Sequence, residues 1–160
     1  MAIDSAAADA FHARLKGTFS GILQWQQLDE LWVRVKTGPW FFYQVGEDLP
    51  EKSLSGDELA VRIGALDTLL RHDHDYHYCG IVYVDNVEAP TLIKVYDPNT
   101  LGSSCSHNAK PTPPGWILST ARPATIESDI PTPDNRRRWW QLFSHWESDE
   151  QTRNKNDISG

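Results

Sequence analysis

The chain has 160 residues and a formal charge of −7, long enough to bury roughly two thirds of the surface its unfolded form would expose, so folding requires neither disulfide nor metal. The acidic balance speaks against nucleic acid as a partner, because phosphate binding draws on a surplus of lysine and arginine. No run of about 18 apolar residues offers a membrane span, and Met1-Ala2-Ile3-Asp4-Ser5 has no signal-peptide pattern, so a cytoplasmic protein with two reduced cysteines is expected.

Taken in order, Ser5 to Lys16 reads as a helix, with Ser5 as N-cap and Phe11, Leu15 and Phe19 at four-residue spacing. Gly17 and Ser20-Gly21 interrupt it. Ile22, Trp25, Leu28, Trp32 and Val35 then follow steps of three and four, which describe a second helix face. Residues 31–35 also alternate as a strand able to pair with Trp40 to Val45, and the helical reading is preferred. Trp40 to Val45 itself is short, aromatic and bounded by Gly38-Pro39 and Gly46, as a strand should be.

Ser55 and Glu58 stand three apart as a capping box, with Leu54 and Leu59 placed as a hydrophobic staple. They predict a helix starting within two residues of Gly56, carrying the stripe Leu59, Ile63, Leu66 and Leu70, and ending near Arg71-His72. A strand is predicted from His77 to Asp85 and another from Thr91 to Tyr96. The five residues between them are too few for a parallel crossover, so the pair is an antiparallel hairpin. Alternation splits it into two sets. Val82, Val84, Ile93 and Val95 make a β-branched core face on which the leucine stripe should pack. Tyr83, Lys94 and Tyr96, with His77, Cys79 and Ile81, fall on a mixed aromatic and ionisable face, the first place to look for chemistry.

A long loop, Asp97 to Gly115, feeds a third strand, Trp116 to Thr120. An irregular arm over residues 121–133 leads to a helix over residues 134–147, in which Trp139, Leu142, Phe143 and Trp146 share a face. Residues 148–160 hold too few apolar side chains, Ile158 alone, to order themselves and are expected to be disordered. The expected architecture is α+β: a single domain over residues 1–147 with an antiparallel sheet of three to four strands and helices on one face.

Three constellations carry what function the sequence suggests. His72, His74, His77 and Cys79 are metal-ligand types, yet they lack a Cys-x-x-Cys or His-Glu-x-x-His spacing, and the preferred reading is that His72 and His74 cap a helix end while Asp73 and Asp75 shape a turn. Cys105 and His107 in the long loop are candidates for a nucleophile and its base. Arg136, Arg137 and Arg138 crowd the first turn of the terminal helix, where the macrodipole favours acids, and Trp140 lies off its apolar stripe. Arginine and tryptophan are the residues of interface hot spots. The reading is a non-enzymatic binding or accessory module working through protein contacts at Arg136, Arg137, Arg138 and Trp140. Its partner is a protein with an acidic patch or a second copy, with no cofactor. The alternative is a thiol/histidine enzyme or a metal-binding protein built on Cys79, Cys105 and the histidine cluster.

Overall fold

In the computed structural model, which describes residues 2–101, 113–126 and 134–141, the chain runs through α1 (Ala2–Leu15), β1 (Ser20–Ile22), α2 (Trp25–Val35) and β2 (Phe41–Gln44). α3 (Gly56–Asp73), β3 (Val82–Val84), β4 (Leu92–Val95), the short α4 (Pro98–Leu101) and β5 (Trp116–Ser119) follow, and residues 134–141 form a further helix, α5. It divides into two units, Met1–Ser128 and Asp129–Gly160. The first unit holds an antiparallel sheet in the order β1-β3-β4-β5-β2. The α+β class stands, with five described strands in place of three or four. Among the described residues no helix is long and apolar enough to cross a membrane.

Register assigns the faces, because residues paired directly across strands share one. Val82 pairs with Val95 and that in turn with Trp116 and Gln44, while Val84 pairs through Ile93 and Leu118 to Phe42. These residues form the β-branched face anticipated from alternation, and all are buried. α3 lies over it, with the Arg62 guanidinium 5.7 Å from the centroid of the Phe42 ring. Leu59, Ile63, Leu66 and Leu70 are fully buried, each worth roughly 1.5–3 kcal/mol against exposure. α2 lies beside α3, its Leu28, Leu31, Trp32 and Val35 also buried, so residues 31–35 are helix. Asp67 joins the two, accepting from the Trp32 indole at 3.1 Å and from Arg71 Nε at 3.0 Å, while Arg71 Nη2 reaches Asp29 at 2.6 Å.

The opposite face carries Gly21, Tyr83, Lys94, Ile117 and Tyr43 in one register row and Leu92 in the next. Here α1 packs, not on the same side as α3 as expected. Phe11 and Leu15 meet Tyr43, Val45, Leu92 and Ile117, and Ala124 and Ile126 close the cluster. The start of the arm is tied down by the Ile126 N–H donating to the Tyr43 hydroxyl at 3.3 Å and by His12 Nε2 donating to the Thr125 carbonyl at 3.0 Å. Burial is the main reason the Tyr43 hydroxyl titrates above its ordinary value.

Three local expectations change. Ser55 occupies the N-cap of α3 but makes no side-chain cap bond; the helix start is instead held by buried Leu54, whose backbone pairs with Trp40 at 2.7 and 2.9 Å. The strand expected from His77 begins at Val82, because Gly80 takes φ +69° and breaks the extended run. β1, absent from the sequence reading, supplies a partner for β3 along Ser20↔Val84 and Ile22↔Val82.

The β3–β4 hairpin is locked by one carboxylate. Asp85 Oδ1 accepts from the N–H groups of Asn86, Thr91 and Leu92 at 2.9, 3.0 and 3.1 Å, and its other oxygen accepts from the Thr91 hydroxyl. Burial alone would raise this carboxyl, but the bonds from Thr91, Leu92 and Asn86 prevail and hold it below the usual aspartate range. Asn86 Oδ1 extends the turn by accepting from Glu88 and Ala89 N–H at 2.9 and 3.2 Å.

Candidate functional site

The histidine cluster folds into an aromatic turn. α3 ends at Asp73, and His74, its C-cap, returns its backbone N–H to the Leu70 carbonyl at 2.8 Å. The buried His74 ring lies 2.8 Å through Nε2 from the Cys79 carbonyl; a carbonyl only accepts, so Nε2 carries the proton. Around this ring stand Trp25, Tyr76 and Tyr78, with centroids 6.2, 4.7 and 6.2 Å away. The Trp25 indole donates to the Tyr76 carbonyl at 2.9 Å and stacks under Arg71, whose guanidinium carbon is 4.9 Å from the ring. Tyr76 and Tyr78, 5.7 Å apart, are thereby held on a rigid base while remaining 60% and 54% exposed, with Leu23 nearby in the chain pairing at 61%.

This geometry distributes the metal and thiol candidates. His72 pairs with Asp73 at 2.9 Å and is exposed, His77 is exposed, and the His74 nitrogen is engaged by a backbone carbonyl. Among the described residues no three His, Cys, Asp or Glu side chains converge. Cys79 is fully buried, and burial pushes its thiol above the ordinary value, which disfavours the thiolate a nucleophile or ligand needs. Cys105 and His107 lie outside the described residues.

In the second unit, residues 134–141 are helical from Asp134, the described part of the helix expected over residues 134–147. Arg136 is buried, Arg137 and Arg138 are exposed, and the half-buried Trp139 and Trp140 stack with centroids 6.3 Å apart and planes 30° from parallel. Leu142, Phe143 and Trp146 lie outside the described residues.

The mixed face of the hairpin forms a cavity of about 380 Å³, lined by Gly17, Phe19, Gly80, Ile81, Tyr83, Lys94 and Tyr96. α1 covers the sheet around Leu92, Ile117 and Tyr43, and the connection after it turns at Gly17 and carries Phe19 over Lys94, whose Nζ is 3.9 Å from the ring centroid. Tyr83 and Tyr96 meet edge to face, 5.6 Å apart at 84°. Gly21 keeps the Tyr83 ring in place, since a Cβ there would stand 3.3 Å from it. Burial alone pulls the Lys94 ammonium below the ordinary lysine value; burial first, and the Tyr83 phenol second, push Tyr96 up. The result is a half-buried cation beside two phenols in an aromatic cup, and it is the Lys94 ammonium that suits the cup to an anion. Alternation placed Tyr83, Lys94 and Tyr96 together. Phe19 and Gly17 were missed, and two glycines flanking a lone aromatic between helix and strand were the available signal.

No protein-family model matches this sequence, and neither the curated proteins nor the solved structures contain a significant match.

Proposed function

We propose that the chain is a non-enzymatic binding module that works in the cytoplasm through protein contacts, with an acid-faced protein or a second copy as partner. The carrying observation is the pair Tyr76 and Tyr78, more than half exposed yet fixed by His74 and Trp25. Exposed aromatic rings that lose little entropy on docking are the residues from which interface hot spots are made. Exposed Arg137 and Arg138 on α5 supply the cationic groups that an acidic partner would meet. The fully buried free thiol of Cys79 suits a reducing compartment.

The test places a photo-crosslinking amino acid at Tyr78, at Arg137 and, as control, at Lys52 in the full chain, alongside sedimentation of the purified protein over a wide concentration range. A discrete crosslinked species or a dimer is expected, dependent on Tyr78 or Arg137, weakened by salt because exposed charges are screened beyond about 8–10 Å, and lost in Tyr76→Ala with Tyr78→Ala. A monomer at all concentrations, with crosslinking at Tyr78 and Arg137 no greater than at Lys52, overturns the reading.

A further inference from the structure

We propose that the cavity between the α1–β1 connection and the β3–β4 hairpin binds a small aromatic monocarboxylate, Lys94 meeting the carboxylate while Phe19, Tyr83 and Tyr96 enclose the ring. Four observations converge on it. The volume, about 380 Å³, lies within the range of small-molecule sites. Lys94 is the single cation in the lining, and among the described residues no carboxylate lies within ion-pair distance of it; the Phe19 ring, 3.9 Å away, offers only the weak field of a quadrupole. A half-buried ammonium without a counter-charge is costly, and burial already draws its proton affinity down, so an entering anion is stabilised and stabilises in turn. Phe19, Tyr83 and Tyr96 give the cavity three aromatic walls, completed by Gly17, Gly80 and Ile81, and the two phenols carry hydroxyl groups able to donate.

Ligand charge follows from the donor set. A phosphate dianion is ordinarily held by arginine forks or by a nest of backbone N–H groups, whereas one ammonium with phenols matches one negative charge. The Lys94 backbone is fixed in the middle of the sheet by its pairing with Tyr83 and Ile117, and its Nζ rests against the Phe19 ring, 3.9 Å from the centroid, which holds the cation within the cup.

Calorimetric titration of the full chain with benzoate, benzyl alcohol, inorganic phosphate and a tetraglutamate peptide tests this. Benzoate should bind one to one, and benzyl alcohol, similar in size but neutral, about 10- to 100-fold more weakly, the span lost with one charge-assisted hydrogen bond. Lys94→Met should lose benzoate by the same factor while staying folded and melting at a higher temperature. Tyr96→Phe should weaken benzoate with an unchanged circular dichroism spectrum. Independently of any variant, benzoate should shift the NMR signals of Phe19, Tyr83, Lys94 and Tyr96. Absence of benzoate binding, equal binding of benzyl alcohol, preference for phosphate or for the peptide, undiminished binding by a folded Lys94→Met, or shifts that map elsewhere each overturn the proposal.

Discussion

The two faces of the sheet are built by the same strands, yet one is closed and the other is open. On the α3 side, Val82, Val84, Ile93, Val95 and Leu118 are sealed under four fully buried residues of one helix stripe. On the α1 side the helix covers only part of the sheet, and Tyr83, Lys94 and Tyr96 line a cavity. The difference teaches where stability and function can be separated. A face covered throughout contributes by area removed from water, whereas a half-covered face keeps charged and aromatic groups within reach of a ligand.

The largest effect that would break this comparison comes from truncating each side in turn. Leu66→Ala, at a fully buried site under α3, should cost about 2–5 kcal/mol in denaturant unfolding, as large-to-small core changes do. Phe19→Ala, over the open cavity, should cost only about 1 kcal/mol, because the ring is partly solvated already and no sealed void is left behind. Equal losses would mean that the α1 side is packed as tightly as the other and that the cavity is closed in solution.

A smaller effect concerns what keeps the faces distinct. Slipping the hairpin register by one residue would carry Lys94 into the core and Ile93 into the cavity, since side chains alternate with period two. Asp85 opposes that slip by accepting from the Thr91 and Leu92 N–H groups and the Thr91 hydroxyl at the start of the returning strand, with the Asn86 N–H of the turn as a further donor. Asp85→Ala should therefore cost about 2–3 kcal/mol at neutral pH, a typical loss for hydrogen bonds to a charged group. Because the folded-state pKa of Asp85 is depressed, its contribution is fully present above the unfolded value of about 3.9 and is lost as pH falls through the folded value. The gap in stability between wild type and variant should stay constant from neutral pH down to about pH 5 and narrow below about pH 4. A gap that widens in acid, or hydrogen exchange at Leu92 unaffected by the substitution, would remove Asp85 from this role.

What was legible in the sequence follows the strength of the periodic signal. The stripe of α3 and the two sets of the hairpin repeat over enough residues to identify both element and face, and Val82, Val84, Ile93 and Val95 lie where alternation puts them. β1 was not legible: Ser20, Gly21 and Ile22 contain one apolar residue, and the segment is a strand only because β3 offers it hydrogen bonds. The same dependence on distant partners hid which helix covers the second face. Phe11 and Leu15 predict a helix with a buried side, but nothing in their spacing says on which side of the sheet it lands. The histidine cluster was legible in part: His74 ends α3 as its C-cap, while Gly80 at positive φ ends the alternation that would have aligned His77 and Cys79. The ionisable face was recognised as the place for chemistry, and Phe19, carried beyond the end of α1, completes it.

The smallest effect sharpens the comparison at its sealed side, by asking what seats α3. Sequence pattern points to both a polar cap at Ser55 and an apolar staple at Leu54. Ser55 adopts the extended N-cap conformation, φ −150° and ψ 167°, but its side chain accepts no backbone N–H, so Ser55→Ala removes no bond. A capping serine normally contributes about 1 kcal/mol; here the loss should stay below about 0.5 kcal/mol, the scale of an ordinary surface substitution. Leu54 differs in kind, being buried and joined through its backbone to Trp40 beside the edge strand. Leu54→Ala should cost about 2 kcal/mol or more, as buried leucines do. Denaturant midpoints of the two variants, measured at one pH, settle which contact starts the helix. If Ser55→Ala proves the costlier of the two, the hydroxyl caps α3 in solution, and the helix is seated by a polar bond rather than by the apolar burial that distinguishes this face from the open one.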